Sequence, residues 1–230
     1  MKRTVILHYH LFKNAGTSVD AVLKRSFGER WITREFPANG GDNSGMIGEW
    51  IRDNPDAVAF SSHTMMGPIP QVQDVRIITF MLIRDPIERI QSAYRFERRQ
   101  KAETWGAKLA KKHDFEGYVR ARLERPGDRQ CRNFQVHRLA ALCPGEGSEL
   151  DQAKTAAGLI TVLGTVKNFS LSIDRLAAVL EPDHLLQVSE TWENRSNHKL
   201  DQDTDLGFLR NLNQDDYELC AFVTALEDGE

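Results

Sequence analysis

The chain has 230 residues, 40% of them hydrophobic and 27% charged, which suits one soluble α/β domain with a sizeable core. Its net charge of −3 gives no global basic field and so no reason to expect a nucleic-acid partner. No apolar run approaches membrane-spanning length, and the run after the first two basic residues is cut short by His8 and His10, too soon for a signal peptide. A cytoplasmic location is expected.

Thr4–Phe27 opens the order of elements. The β-branched run Val5-Ile6-Leu7 predicts a strand, Lys13-Asn14-Ala15-Gly16-Thr17-Ser18 a short turn, and the stripe Val19, Val22, Leu23 and Phe27 a helix. Strand, small-residue turn and helix make an anion site, because the first helical N–H groups lack intrahelical partners and the dipole favours negative charge there. Lys13 adds a point charge. Gly16 allows close approach of the backbone, and Thr17 and Ser18 offer hydroxyls that can cap the helix. The G-x-x-x-x-G-K-[ST] loop of ATPases and GTPases does not fit: the first glycine is missing, and the lysine precedes the turn.

A loop at Pro37–Asn43 and a short helix around Met46–Arg52 follow. Ala57–Phe60 predicts a short buried strand ending at Ser61-Ser62-His63. Val75–Ile83 is apolar enough to be covered on both faces, as in a parallel sheet. It stops at a spelled-out helix start: Asp85 as cap, Pro86 in the first turn, Glu88 three after the cap, and Ile87, Ile90 and Tyr94 as the inward stripe. From Arg84 to Lys112 there are nine basic residues against four acidic ones, in a helical region expected to break near Gly106. Further helices are expected at Phe115–Glu124, Cys131–Leu142, Leu150–Gly158 and Ile173–Leu180. Strands are expected at Leu159–Val166 and Leu185–Val188, and a capped amphipathic helix at Asn213–Leu226. From Asp201 to Glu230 nine acidic residues face one basic one. Strands alternating with helices imply a wound parallel sheet flanked by helices in a single domain over residues 1–230. Cys131, Cys143 and Cys220 have neither metal spacing nor an even-numbered framework, and read as buried free thiols.

In open parallel sheets ligands bind beyond the carboxyl ends of the strands, where both Lys13 and Arg84 fall. Ser92, about two turns into the next helix, is placed to pinch an anion against Arg84. His63, at another strand end on the same edge, suits a general base. Taken singly, Arg84 also reads as a surface ion pair, Ser92 as a solvent-facing hydroxyl, and His63 as the cap of a strand end.

Two motifs carry a resemblance. The Lys13–Ser18 turn is similar to the 5′-phosphosulfate loop of sulfotransferases, P-K-T-G/A-G/S-T-S, with Phe12 in place of its proline and Asn14 in place of its threonine. Arg84–Tyr94 resembles the 3′-phosphate signature R-D-P-x-x-R-x-x-S-x-Y of carbohydrate sulfotransferases, above all those like heparan sulfate 2-O-sulfotransferase and its bacterial relatives. The resemblance implies a P-loop-NTPase-like central parallel sheet and 3′-phosphoadenosine 5′-phosphosulfate as sulfuryl donor. It implies that Lys13, Asn14, Ala15, Gly16, Thr17 and Ser18 bind the 5′ group, with Lys13 also catalytic, and that Arg84 and Ser92 bind the 3′-phosphate. Members of the 2-O type carry His-Gly-His where this chain has Ser61-Ser62-His63, so His63 matches the base while Ser61 replaces a histidine. His10, three before Lys13, is read as structural or as a hydrogen-bond partner beneath the loop. Weaker echoes fall at Gln130–Gln135, Leu163–Phe169 and Glu193–Asn197, the last implying that Ser196 helps close over the nucleotide. No metal is implied. The acceptor is expected to be a carbohydrate or another hydroxyl-bearing small molecule. Arg95, Arg98, Arg99 and Trp105 read either as a surface for an acidic glycan or as an exposed helix face. The rival readings are a P-loop-like small-molecule kinase and a non-catalytic binder of anionic glycans or nucleotides.

Overall fold

In a computed structural model, residues 2–187 and 206–229 are described. Five strands form one parallel sheet in the order β2-β3-β1-β4-β5. They are β1 (Arg3–Tyr9), β2 (Trp31–Thr33), β3 (Ala59–Ser62), β4 (Val75–Ile83) and β5 (Val162–Thr165). The helices are α1 (Gly16–Phe27), α2 (Ser44–Asp53), α3 (Pro86–Arg99), α4 (Trp105–Lys112), α5 (Phe115–Glu124), α6 (Phe134–Ala140), α7 (Glu149–Leu159), α8 (Phe169–Leu180), α9 (Leu206–Leu212) and α10 (Gln214–Asp228). Among the described residues no helix is long and apolar enough to cross a membrane.

The alternation of side chains along the strands distributes the core. Val5, Leu7 and Tyr9 of β1 and Met81 and Ile83 of β4 face one layer, packed with residues of α2, α6, α7 and α10. Ile6 of β1 and Ile78, Phe80 and Leu82 of β4 face the other, packed with the Val19-Val22-Leu23-Phe27 stripe of α1 and with Ile173, Leu176 and Leu180 of α8. With both faces covered, the central strands read as continuous apolar runs. By the same alternation His8 and His10 fall on the α1 side. A third cluster joins α3, α4, α5 and α9 around Ile90, Tyr118 and Leu209.

The α3 start is built as its spelling implies: the Asp85 carboxylate accepts from Glu88 N at 2.9 Å and Pro86 sits in the first turn. Several expectations are corrected. The basic helical region breaks at 100–104, where the Thr104 hydroxyl caps α4 by accepting from Ala107 N. Gly106 lies inside α4 and is there for closeness: a Cβ would meet Arg122 Nη2 at 2.3 Å and Glu97 Oε1 at 2.4 Å. The helix expected at Cys131–Leu142 spans only Phe134–Ala140, because Asn133 takes a left-handed φ of 42° just before it. Residues 185–187 form no strand, and Val188 lies outside the described residues. Asn213 precedes α10 but does not cap it; its amide donates to the carbonyls of Cys131 and Leu209. Neither Thr17 nor Ser18 caps α1, since the helix begins at Gly16 with Ala15 in the cap position. Of the three free thiols only Cys131 is buried; Cys143 and Cys220 are half-buried. β2 and α9 were not foreseen.

Candidate active site

The carboxyl ends of β1, β3, β4 and β5 open onto one cleft of about 990 Å³. Lys13 and Ala15 line it from the first loop, Gly16, Thr17 and Ser18 from the start of α1, Arg84 from the end of β4, Ser92 from α3, His63 from the end of β3, and Lys167 from beyond β5. The Lys13 turn and the Arg84–Ser92 motif therefore share a rim.

The first loop is tightly shaped. Lys13 (φ 67°) and Ala15 (φ 59°) sit in the left-handed region, which costs a non-glycine residue about 1–3 kcal/mol each. Asn14 offsets this from below, donating through Nδ2 to Leu82 O at 2.9 Å and to Gln135 Oε1 at 2.8 Å. Its side chain is buried and stands outside the cleft lining, so Asn14 anchors the loop and does not present a side chain to a ligand. Ser18 N–H is taken by the Ala15 carbonyl at 2.9 Å. Gly16 and Thr17 are the first helical residues, whose N–H groups have no intrahelical acceptor. Gly16 is required by a ring beneath it: a Cβ there would lie 2.0 Å from His10 Cδ2.

Gln135 ties the two loops together. Fully buried, its Oε1 accepts from Arg84 N at 2.7 Å as well as from Asn14, and its Nε2 donates to Arg84 O at 2.8 Å. Asp216 in turn accepts from the N–H groups of Gln135 and Val136, which fixes the start of α6. The Arg84 side chain leans on Glu88 (Nε to Oε2, 3.2 Å) and reaches the Lys13 carbonyl with Nη1 at 3.5 Å.

The rim is cationic. Arg95 and Arg99 line the cleft beside Lys13, Arg84 and Lys167, against Asp85 and Glu88. Burial lowers the Lys13 pKa from its usual value, and Arg84, Arg99 and Arg95 lower it further by repulsion. Its ammonium lies 4.5 Å from the Phe96 ring, which Phe12 meets edge-on. Arg98 turns away to the Tyr94 hydroxyl and the His113 carbonyl. Trp105 lies beneath Arg122 and Arg125. The basic and aromatic quartet is thus split, with two members facing the cleft.

His63 is half-exposed, and its Nδ1 is 2.7 Å from Glu35 Oε1. The other Glu35 oxygen accepts from Thr64 Oγ1 at 2.8 Å. Burial opposes the Glu35 charge, but the bonds from His63 and Thr64 outweigh it and hold the carboxyl below its usual pKa. A carboxylate on Nδ1 leaves Nε2 as the basic nitrogen of a neutral imidazole. Arg138 donates to the carbonyls of His63 and Met65, fixing the turn behind the ring. Ser61 does not line the cleft: its hydroxyl accepts from Trp31 Nε1 and lies 3.1 Å from His8 Nδ1. Ser196 and the Glu193–Asn197 echo lie outside the described residues.

His10 is indeed beneath the loop, with Nδ1 2.8 Å from Asp20 Oδ2; His8 Nδ1 is 2.9 Å from Oδ1 of the same carboxylate. The spacing is that of two hydrogen bonds, one per oxygen. Glu35, Asp20 and the bridging role of Gln135 were not foreseen. Glu35 follows a strand too short to signal itself, and Asp20 gains meaning only once alternation turns both histidines toward α1.

The sequence model of the sulfotransferase family matches residues 1–222. An uncharacterized protein from Archaeoglobus fulgidus is 37% identical over 187 residues, covering 76% of this chain and 73% of its own length. The early strand–turn–helix, the arginine–serine motif and all of their common cleft but Thr224 fall within that match, and the chain belongs to the sulfotransferase family.

Proposed function

We propose that the protein transfers a sulfuryl group from 3′-phosphoadenosine 5′-phosphosulfate to a hydroxyl of a carbohydrate or similar small acceptor. The observation that carries this reading is one cleft with two separate cationic grips, Lys13 with its loop and Arg84 with Ser92, braced on one buried glutamine. Such a pair matches a donor that is anionic at two separate ends, and the unpaired helical N–H groups suit the tighter of them.

The donor supplies the sulfuryl group on a phosphosulfate bridge. Gly16 and Thr17 N–H, with that of Ala15, hold the 5′ group. Lys13 stabilises the charge that develops on the bridging oxygen as the S–O bond breaks. Arg84 and Ser92 hold the 3′-phosphate and so separate this donor from ATP. The His63 Nε2 takes the acceptor proton as the acceptor oxygen bonds to sulfur, and Glu35 keeps Nδ1–H in place and stabilises the imidazolium. Ser196 would close over the nucleotide. Side chains and amides neutralise the leaving group, so a chelator should leave turnover intact.

A kinase reading needs an acid to hold Mg²⁺ at a strand end, but Asp85 is spent on its helix cap. A thermal-shift comparison of 3′-phosphoadenosine 5′-phosphate with ATP and AMP tests the reading. A shift largest for the bisphosphate supports it. A larger shift with Mg·ATP would favour a kinase, and no nucleotide shift at all a passive glycan binder.

A further inference from the structure

His10 occupies a place that its hydrogen bond to Asp20 does not account for. Its ring is wedged between Gly16 and the ring of His63, whose centroid is 3.8 Å away. A Cβ on Gly16 would stand 2.2 Å from His10 Nε2, so that nitrogen lies against the first helical residue, whose N–H has no intrahelical acceptor. His10 itself lines the cleft.

Asp20 fixes which nitrogen carries the hydrogen. A carboxylate only accepts, and each of its oxygens is matched to one imidazole, so Nδ1 of both His8 and His10 must donate. In neutral His10 the Nε2 is therefore the acceptor nitrogen, on a ring that lines the cleft and packs against Gly16. A lone pair repels an anion there, whereas an added proton becomes a charge-assisted donor to it. We propose that His10 is a direct ligand of the anion held by the first loop and takes up one proton from solvent when that anion binds. The proposal rests on the donor reading above.

The groups facing His10 are His8 from β1, Asp20 and Gly16 from α1, Glu35 from beyond β2 and His63 from beyond β3. Burial, the largest influence, and His8 hold its pKa below the usual value, while Asp20 and Glu35 oppose them. The ring is therefore neutral near pH 7 before binding, and the arriving anion tips the balance.

The test is calorimetric titration of the wild type, His10→Gln and His63→Gln with 3′-phosphoadenosine 5′-phosphate, in buffers of unlike ionisation enthalpy. The free nucleotide's phosphates titrate alike in all three experiments, and the NMR measurement below separates uptake at an imidazole from uptake at the bound phosphate. The expected result is that wild type and His63→Gln take up more protons than His10→Gln. His10→Gln should bind roughly tenfold more weakly at pH 6.5, a loss that shrinks by pH 8.5. Equal proton counts in wild type and His10→Gln, or a difference that follows His63, would overturn the proposal. Nitrogen NMR of the histidine-labelled wild type needs no variant: one buried imidazole should pass from neutral to charged on addition of the nucleotide, and no such change refutes it. If the wild type ignores the nucleotide, the donor reading itself fails. Inorganic sulfate, which does not titrate in this range, then serves as probe, and equal sulfate affinity at pH 6 and pH 8 overturns the inference too.

Discussion

The two sides of the cleft are built differently. On the side of the Lys13 turn, Asn14, Gln135 and the Arg84 backbone are buried or partly buried and joined by bonds of 2.7–2.9 Å, so loop strain and motif spacing are set before any ligand arrives. On the His63 side, His63 and Glu35 are each about half-exposed and meet through the ring Nδ1 at 2.7 Å and the His63 N–H at 3.4 Å. Preorganised donors contribute most where charge develops, and a wet ion pair contributes little to folding. The contrast teaches a division of labour for the proposed reaction: under that reading the braced side would set which nucleotide binds, and the exposed side how fast the proton leaves.

Substitutions on the two sides should separate accordingly. His63→Ala should lower turnover by roughly 10²–10⁴-fold, the usual worth of a general base, while 3′-phosphoadenosine 5′-phosphate binds as before. Full turnover in that variant would remove His63 from the chemistry and leave the family assignment standing. Gln135→Ala should act on the opposite side, orphaning buried donors at about 1–3 kcal/mol each, which urea melts would read, and loosening both anion grips at once. Unchanged melting and binding would mean the two loops stand without their brace. Glu35→Gln should reduce turnover by roughly tenfold, less than loss of the base itself, with melting little altered because the pair is exposed. The smallest effect belongs to Arg98→Ala, expected to bind the bisphosphate as the wild type does because Arg98 points away from the cleft, whereas Arg99→Ala weakens binding.

Most of the sheet was legible because buried parallel strands are written as apolar runs. Val75–Ile83 was bounded by its own composition and by the Asp85-Pro86 stop. The rim was legible because Lys13 and Arg84 sit where strand ends must lie, and Ser92 two turns into the helix that follows. What stayed hidden depends on contacts between distant segments. Gly106 looked like a breaker and is a contact point for Glu97 and Arg122. Asn14 looked like a ligand and is an anchor, because its partners Leu82 and Gln135 lie far away in sequence. Gly16 looked like room for an anion and is first of all room for the His10 ring. Strand β2 has only three residues, so the acid that follows it carried no signal.

The most direct measurement is the affinity ratio between 3′-phosphoadenosine 5′-phosphate and AMP, in wild type and in Arg84→Ala. The wild type should prefer the bisphosphate by roughly 10–100-fold, the worth of one charge-assisted grip on the 3′-phosphate, and Arg84→Ala should erase that preference while AMP affinity holds. A wild type that binds the two nucleotides equally, or a preference that survives loss of Arg84, would contradict the two-grip cleft.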